Sequence, residues 1–171
     1  MSSKVKHVFY FESKEEANKW SDKLKKYTIQ IDFYKHYELD ELLGDGTFSK
    51  VYGGYNLSTS KRVAVKVVRK IHLKYNKLLL KSMVNEIQIL QNIEHKYIIR
   101  IYDVYETQKH INMVFEYMNS NTLICYIKSL GERLTEEIVL TIFRKLITAI
   151  SYLHESKIIH RDIKPENILF Q

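Results

Sequence analysis

A single cysteine, Cys125, leaves this chain without an internal disulfide, and with no Cys-x-x-Cys pair it has no zinc framework. Its seven histidines show no His-x-x-x-His or other metal-ligand spacing. No apolar run approaches the roughly 20 residues of a membrane-spanning helix. The first ten residues carry Lys4 and Lys6 but lack the apolar stretch of a signal peptide. These absences predict a cytoplasmic or nuclear protein. Proline occurs once, at Pro165, and glycine five times, so chain punctuation is sparse and each instance is informative. No internal repeat or low-complexity segment is present.

What remains is a 171-residue chain, 45% hydrophobic and 27% charged, which suits one ordinary domain with a short appendage. The net charge is +7, but the lysines and arginines are spread along the chain rather than gathered in one stripe. Nucleic acid is therefore not an expected partner. Part of the excess suits a phosphate-rich ligand.

The first 35 residues read as a strand, Val5 to Phe11, and then a helix. Ser13 is the expected N-cap, with Glu16 three residues on in a capping-box arrangement. Ala17, Trp20, Leu24 and Tyr27 share one helical face. From Tyr37 the pattern turns to strands: Tyr37 to Leu43, Lys50 to Asn56 and Arg62 to Val68. A helix from about Leu78 to Ile93 follows, then strands from Ile101 to Tyr105 and Ile111 to Glu116. A short helix over Leu123 to Lys128 precedes a longer one capped by Thr135, with Ile138, Ile142, Leu146, Ile150 and Leu153 on one face. Five strands with one helix, then helices alone, is an α+β arrangement.

Three stretches carry chemistry. Gly44-Asp45-Gly46-Thr47-Phe48-Ser49 joins the first two of these strands; small residues there let the backbone approach a polyphosphate and aim amides at its oxygens. A glycine pair alone is more often a plain hairpin turn. Lys66 lies in a mostly apolar strand, where a cation is costly without a partner, and Glu86 in the next helix is the candidate. Either residue alone would be read as a solvated surface group. His160-Arg161-Asp162-Ile163-Lys164-Pro165-Glu166-Asn167 is the most specific string, because a helix-to-strand connection needs no such density of charge.

In this order, the three stretches resemble the glycine-rich loop, Val-Ala-x-Lys strand and catalytic loop of serine/threonine protein kinases, most like the calcium/calmodulin-dependent group. The resemblance spans about residues 37–171. It implies a five-stranded antiparallel sheet with one helix, followed by the first helices of an incomplete helical lobe. It also implies ATP and magnesium as cofactors and a protein serine or threonine as substrate. Lys66, held by Glu86, would meet the α and β phosphates beneath the loop of Gly44, Gly46 and Ser49. Leu43, Val51 and Ala64 would roof the adenine and Leu169 floor it. Phe115 would be the gatekeeper, with Glu116 and Met118 giving hinge backbone bonds. Asp162 would accept the substrate proton, Lys164 neutralise the transferring phosphate and Asn167 bind one magnesium. Ser49 replaces the third loop glycine of the family, and Thr122 stands where many relatives carry an acid near the ribose. Leu90, Ile101 and His160 match three members of the regulatory spine.

The family's Asp-Phe-Gly element, with a second metal ligand, does not occur in the sequence. The chain is therefore expected to keep nucleotide-contacting groups but have little or no kinase activity alone, with an uncovered apolar face on the helix around Ile142 to Leu153. A non-catalytic kinase-like binding module, a lipid-binding adaptor and an incomplete gene product are the alternatives. Residues 1–35 resemble either the last strand and helix of a pleckstrin-homology domain or an amphipathic helix docked on the kinase lobe. Such a fragment lacks phosphoinositide-binding loops, so lipid binding is not expected of it. Calcium control has no EF-hand or calmodulin-binding segment here.

Overall fold

The computed structural model describes residues 9–25, 27–118, 122–131 and 135–169. Helix α1 (Lys14–Lys25) opens at Ser13, whose Oγ accepts the Glu16 amide at 3.1 Å. The expected apolar face stays largely open: Trp20 is 47% exposed and Leu24 40%. Of the expected strand from Val5 to Phe11, residues 1–8 lie outside the described residues. Phe9 to Phe11 are exposed and not in a strand.

A strand that the sequence pattern did not predict comes next. β1 (Ile29–Gln30) is two residues long, too short for any period to register, and it pairs parallel with β5 (Ile101–Glu106). Gln30 Nε2 donates to Asp103 Oδ1 at 2.7 Å, which pins the segment to the sheet. The expected five-stranded antiparallel sheet is thus a six-stranded mixed one. The remaining strands are β2 (Tyr37–Asp45), β3 (Ser49–Asn56), β4 (Arg62–Arg69) and β6 (His110–Glu116), in the order β1-β5-β6-β4-β3-β2.

Period-2 alternation along β4 sorts its side chains between two cores. Val63 and Val65 join Val114, Tyr105 and Tyr37 on one face. There Phe33, from a 3-10 turn over Phe33–Lys35, is fully buried and stacked on Tyr37 with ring centroids 5.6 Å apart. Burying such a ring contributes roughly 2–3 kcal/mol. Tyr37 also donates to Asp103 Oδ2 at 2.5 Å. Burial first, and then Asp103, pushes its phenol above the ordinary tyrosine range, so it remains a donor at any physiological pH.

On the other face, Val68, Met113 and Phe115 pack against helix α3 (Lys77–Asn92) through Met83 and Ile87, with Leu73 of helix α2 (Lys70–Lys74) beside them. Asn76 caps α3, its side chain accepting the Leu79 amide at 2.9 Å. Helix α4 (Leu123–Leu130) begins at Thr122 and ends at Gly131. The latter adopts φ 52°, a left-handed value that favours glycine. Helix α5 (Glu136–Glu155) opens at Thr135, whose Oγ1 accepts the Ile138 amide, with Glu136 and Glu137 suitably placed in its first turn. It buries Ile142, Ala149 and Leu153, whereas Leu140, Phe143 and Ile147 form an exposed apolar stripe.

Candidate active site

Ala64, Lys66 and Val68 share the β4 face that looks towards α3, so the alternation that buries Val63 and Val65 also directs Lys66 at that helix. Glu86 lies three residues after Met83 and four before Leu90, on the same face of α3. The two meet: Lys66 Nζ donates to Glu86 Oε1 at 2.7 Å. Their side chains keep 30% and 42% of their surface, so the pair is open to solvent rather than sealed in the core.

The turn between β2 and β3 closes on itself, with the Gly46 amide donating to the Ser49 carbonyl at 2.9 Å. A Cβ at Gly46 would come within 3.2 Å of that oxygen, a tight contact that explains the glycine. Serine in the third position of the loop is accommodated as the first residue of β3. Lys50 pairs with Asp45 across the turn at 2.9 Å.

Phe115 is buried opposite Ala64 in the β4–β6 register. The Glu116 amide donates to the Arg100 carbonyl at 2.9 Å, and the Glu116 carboxylate accepts the Arg100 amide at 2.7 Å. Glu116 and Met118 line a cavity of about 510 Å³ together with Lys164, Asn167 and Leu169. Five predicted site residues from the hinge and the catalytic loop therefore share one concavity, lined otherwise mainly by α5 and residues 96–99; Lys66, Glu86, Asp162 and the Gly44–Ser49 turn do not line it. Thr122 bridges antiparallel to Leu169, and the Leu123 amide donates to the Ile168 carbonyl at 2.7 Å, tying the loop to the start of α4. Thr122 serves as the cap of that helix, its Oγ1 accepting the Cys125 amide.

The catalytic-loop string is held by its own side chains. Asn167 Nδ2 donates to both the Asp162 carbonyl, at 2.9 Å, and Asp162 Oδ2, at 2.8 Å. Lys164 Nζ lies 3.0 Å from Asp162 Oδ1. His160 Nδ1 accepts the Asp162 amide at 3.3 Å. Arg161 between them has φ 67°, a conformation that costs a non-glycine residue on the order of 1–2 kcal/mol. Pro165 starts the closing 3-10 turn over Pro165–Asn167, where its fixed φ is an advantage. Asp162, Lys164 and Asn167 are all exposed, so the group is open to solvent and substrate. Ile101 is buried and Leu90 packs on the α3 core, whereas His160 is exposed.

Lys164 first, and then Asn167, hold the Asp162 carboxyl below the ordinary value of 3.8. A depressed folded-state pKa means that the loop's contribution is complete above the unfolded value and is lost as pH falls through the folded one. A carbon-detected NMR titration of Asp162 should thus give a midpoint below 3.8, and Lys164→Ala should raise it. A midpoint unmoved by Lys164→Ala would contradict the pairing.

Metal chemistry fits this donor set in a limited way. Among the described residues no group of three or more histidine, cysteine or carboxylate side chains could hold an ion. Magnesium, however, is bound through one or two protein oxygens plus substrate phosphates. Asn167 spends its amide nitrogen on Asp162, which leaves its amide oxygen as the group suited to that cation.

Sequence reasoning missed Arg62, Asp40, Glu41 and Tyr117, which cluster around the Arg62 guanidinium. No motif marks them, and only cross-strand register brings them together.

Comparison with known proteins agrees with this geometry. The protein kinase domain model matches residues 37–171. The chain is 39% identical over 138 residues to a maternal embryonic leucine zipper kinase of Xenopus laevis, covering 81% of this chain and 21% of that protein. It is 35% identical over 136 residues to CBL-interacting serine/threonine-protein kinase 16 of Arabidopsis thaliana, covering 80% and 29%. A probable serine/threonine-protein kinase, fhkA, of Dictyostelium discoideum is 39% identical over 144 residues, covering 83% and 24%. With this match over most of its length, the chain belongs to the protein kinase domain family. It spans between a fifth and three tenths of the length of these relatives.

Proposed function

We infer that residues 37–171 bind ATP with magnesium and act in transfer of its γ-phosphate to a serine or threonine hydroxyl of a protein. The observation that carries this reading is the Lys66–Glu86 pair at 2.7 Å, part-exposed, with Lys66 facing Val51 in the strand that leaves the Gly44–Ser49 turn. Lys66 would anchor the α and β phosphates, and Glu86 would keep its ammonium on station. Glu116 and Met118 would present backbone groups to adenine between Leu43, Val51 and Ala64 above and Leu169 below, with Phe115 behind. Asp162, ionised at neutral pH, orients the substrate hydroxyl and takes its proton as the oxygen–phosphorus bond forms and ADP leaves. Lys164 neutralises charge on the transferring group. Asn167 would hold magnesium, which supplies charge compensation between the phosphates when bound.

Residues 1–35 form an appendage in this reading, and the protein works in the cytoplasm or nucleus. The 171 residues contain Asn167 but no Asp-Phe-Gly tripeptide, so assayed alone they should bind nucleotide better than they transfer phosphate. The exposed Leu140, Phe143 and Ile147 stripe favours, as a second reading, a kinase-like module that binds a protein partner without turnover.

A phosphate-transfer assay with labelled ATP, magnesium and a generic protein substrate separates these. Slow transfer abolished by Asp162→Asn is the expected result. Transfer indifferent to Asp162→Asn would reject the base assignment. Turnover in the range of about 1–100 s⁻¹ usual for kinases would reject the expectation of weak activity.

A further inference from the structure

Strand β2 does not run straight into the Gly44 turn. Leu39 faces Gly54 and Leu42 faces Tyr52, so three steps on β2 match two on β3, and the extra residue falls at Asp40–Glu41. Leu42 faces Tyr52 and Gly44 faces Val51, which makes Leu43 the extra residue of a second bulge. A bulge re-aims the side chains beside it. Here the side chain concerned is Leu43, to which the ATP reading gives the roof of the adenine site.

One side chain grips the first bulge. Arg62, four residues before Lys66 on β4, sets Nη1 3.3 Å from Asp40 Oδ2 and bonds Glu41 Oε1 through Nη2. Its guanidinium lies 4.9 Å from the ring centroid of Tyr55 and 4.7 Å from that of Tyr117. Tyr117 stands between Glu116 and Met118 at the end of β6. β2 and β6 are not neighbours, since β4 and β3 separate them in the sheet. The guanidinium therefore connects the roof strand to the hinge across two strands. Space for it is reserved: a Cβ on Gly53 would come 2.9 Å from Glu41 Oε1 and 3.3 Å from Arg62 Nη2.

We propose that Arg62 is a positioning residue for the nucleotide base, fixing Leu43 over the hinge by holding the Asp40–Glu41 bulge with its fork while stacking on Tyr117. This rests on the ATP reading above. A planar fork that also stacks is a property of arginine; lysine offers a point charge without the plane.

The test uses the whole chain, fluorescent mant-ATP, and displacement by ATP or by inorganic tripolyphosphate. Arg62→Ala should weaken ATP about fivefold, the scale of a partly desolvated cation–ring contact, and leave tripolyphosphate unchanged. Arg62→Lys should fall nearer to Arg62→Ala than to wild type. Lys35→Ala, which removes an exposed pair with Asp32, should change nothing. Should Arg62→Ala fail to fold, Tyr117→Leu should show the same ATP-selective loss. Unchanged ATP affinity, or equal weakening of ATP and tripolyphosphate, would overturn the proposal. A folded wild-type chain that binds neither ligand would overturn the nucleotide reading itself, and the proposal with it.

Discussion

Gly54→Ala is expected to destabilise the chain by about 3 kcal/mol, the upper range for forcing a group into a packed interior. The methyl would fall far inside van der Waals contact with the Glu38 carbonyl oxygen and 3.5 Å from the Leu39 Cα, both backbone atoms of the paired strand. Backbone in the middle of a ladder cannot step aside as a side-chain tip can. The β2–β3 pairing would have to part beside the first bulge, and the roof of the proposed adenine site would go with it. For a chain of this size the cost corresponds to a fall in Tm of roughly 6–12 °C. Gly53→Ala is the matched comparison. Its methyl would meet the ends of Glu41 and Arg62, which are flexible, so the loss should be clearly smaller. Thermal unfolding followed by circular dichroism reads both. Equal shifts would show that close backbone approach is not the reason for Gly54.

Lys66→Met should lower ATP affinity about 10- to 100-fold, the range for losing one charge-assisted hydrogen bond to phosphate. Methionine keeps the length and apolar stem of lysine in β4, and the partly exposed Glu86 left behind can be solvated. The effect should therefore appear in binding while Tm moves little. Glu86→Gln should do less, because the amide can still accept from Lys66. A Lys66→Met chain that loses structure in parallel with affinity would point to a structural ion pair instead.

The parts of this molecule legible in its sequence are those where local pattern and tertiary environment agree. Val63-Ala64-Val65-Lys66-Val67-Val68 alternates in a sheet with apolar cores on both faces, so its strand and the singular lysine both stand out. Ser13 and Thr135 cap their helices through short-range bonds that sequence spacing encodes directly. The catalytic loop is legible for the same reason: Asp162, Lys164 and Asn167 bond to one another within five residues. What escaped depends on distant partners. β1 exists because Ile29 and Gln30 find Val104 and Tyr105, more than 70 positions away. The two bulges in β2 are visible only against β3, and Arg62 acquires its role only where Asp40, Glu41 and Tyr117 converge on it. Nothing local marks Gly53 and Gly54, because the atoms that exclude a side chain there belong to β2 and β4. The apolar face of α1 misleads in the opposite direction, since its helical period is clear and yet Trp20 and Leu24 remain open to solvent.

The central claim is that Lys66 and Glu86 form a nucleotide site with the Gly44–Ser49 turn. Calorimetric titration of magnesium-ATP into the purified chain, alongside Lys66→Met of matched Tm, tests it most directly. Saturable one-to-one binding by wild type, at least about tenfold weaker in Lys66→Met, is the predicted result. A folded wild-type chain that shows no saturable binding, or binds no better than Lys66→Met, would contradict it.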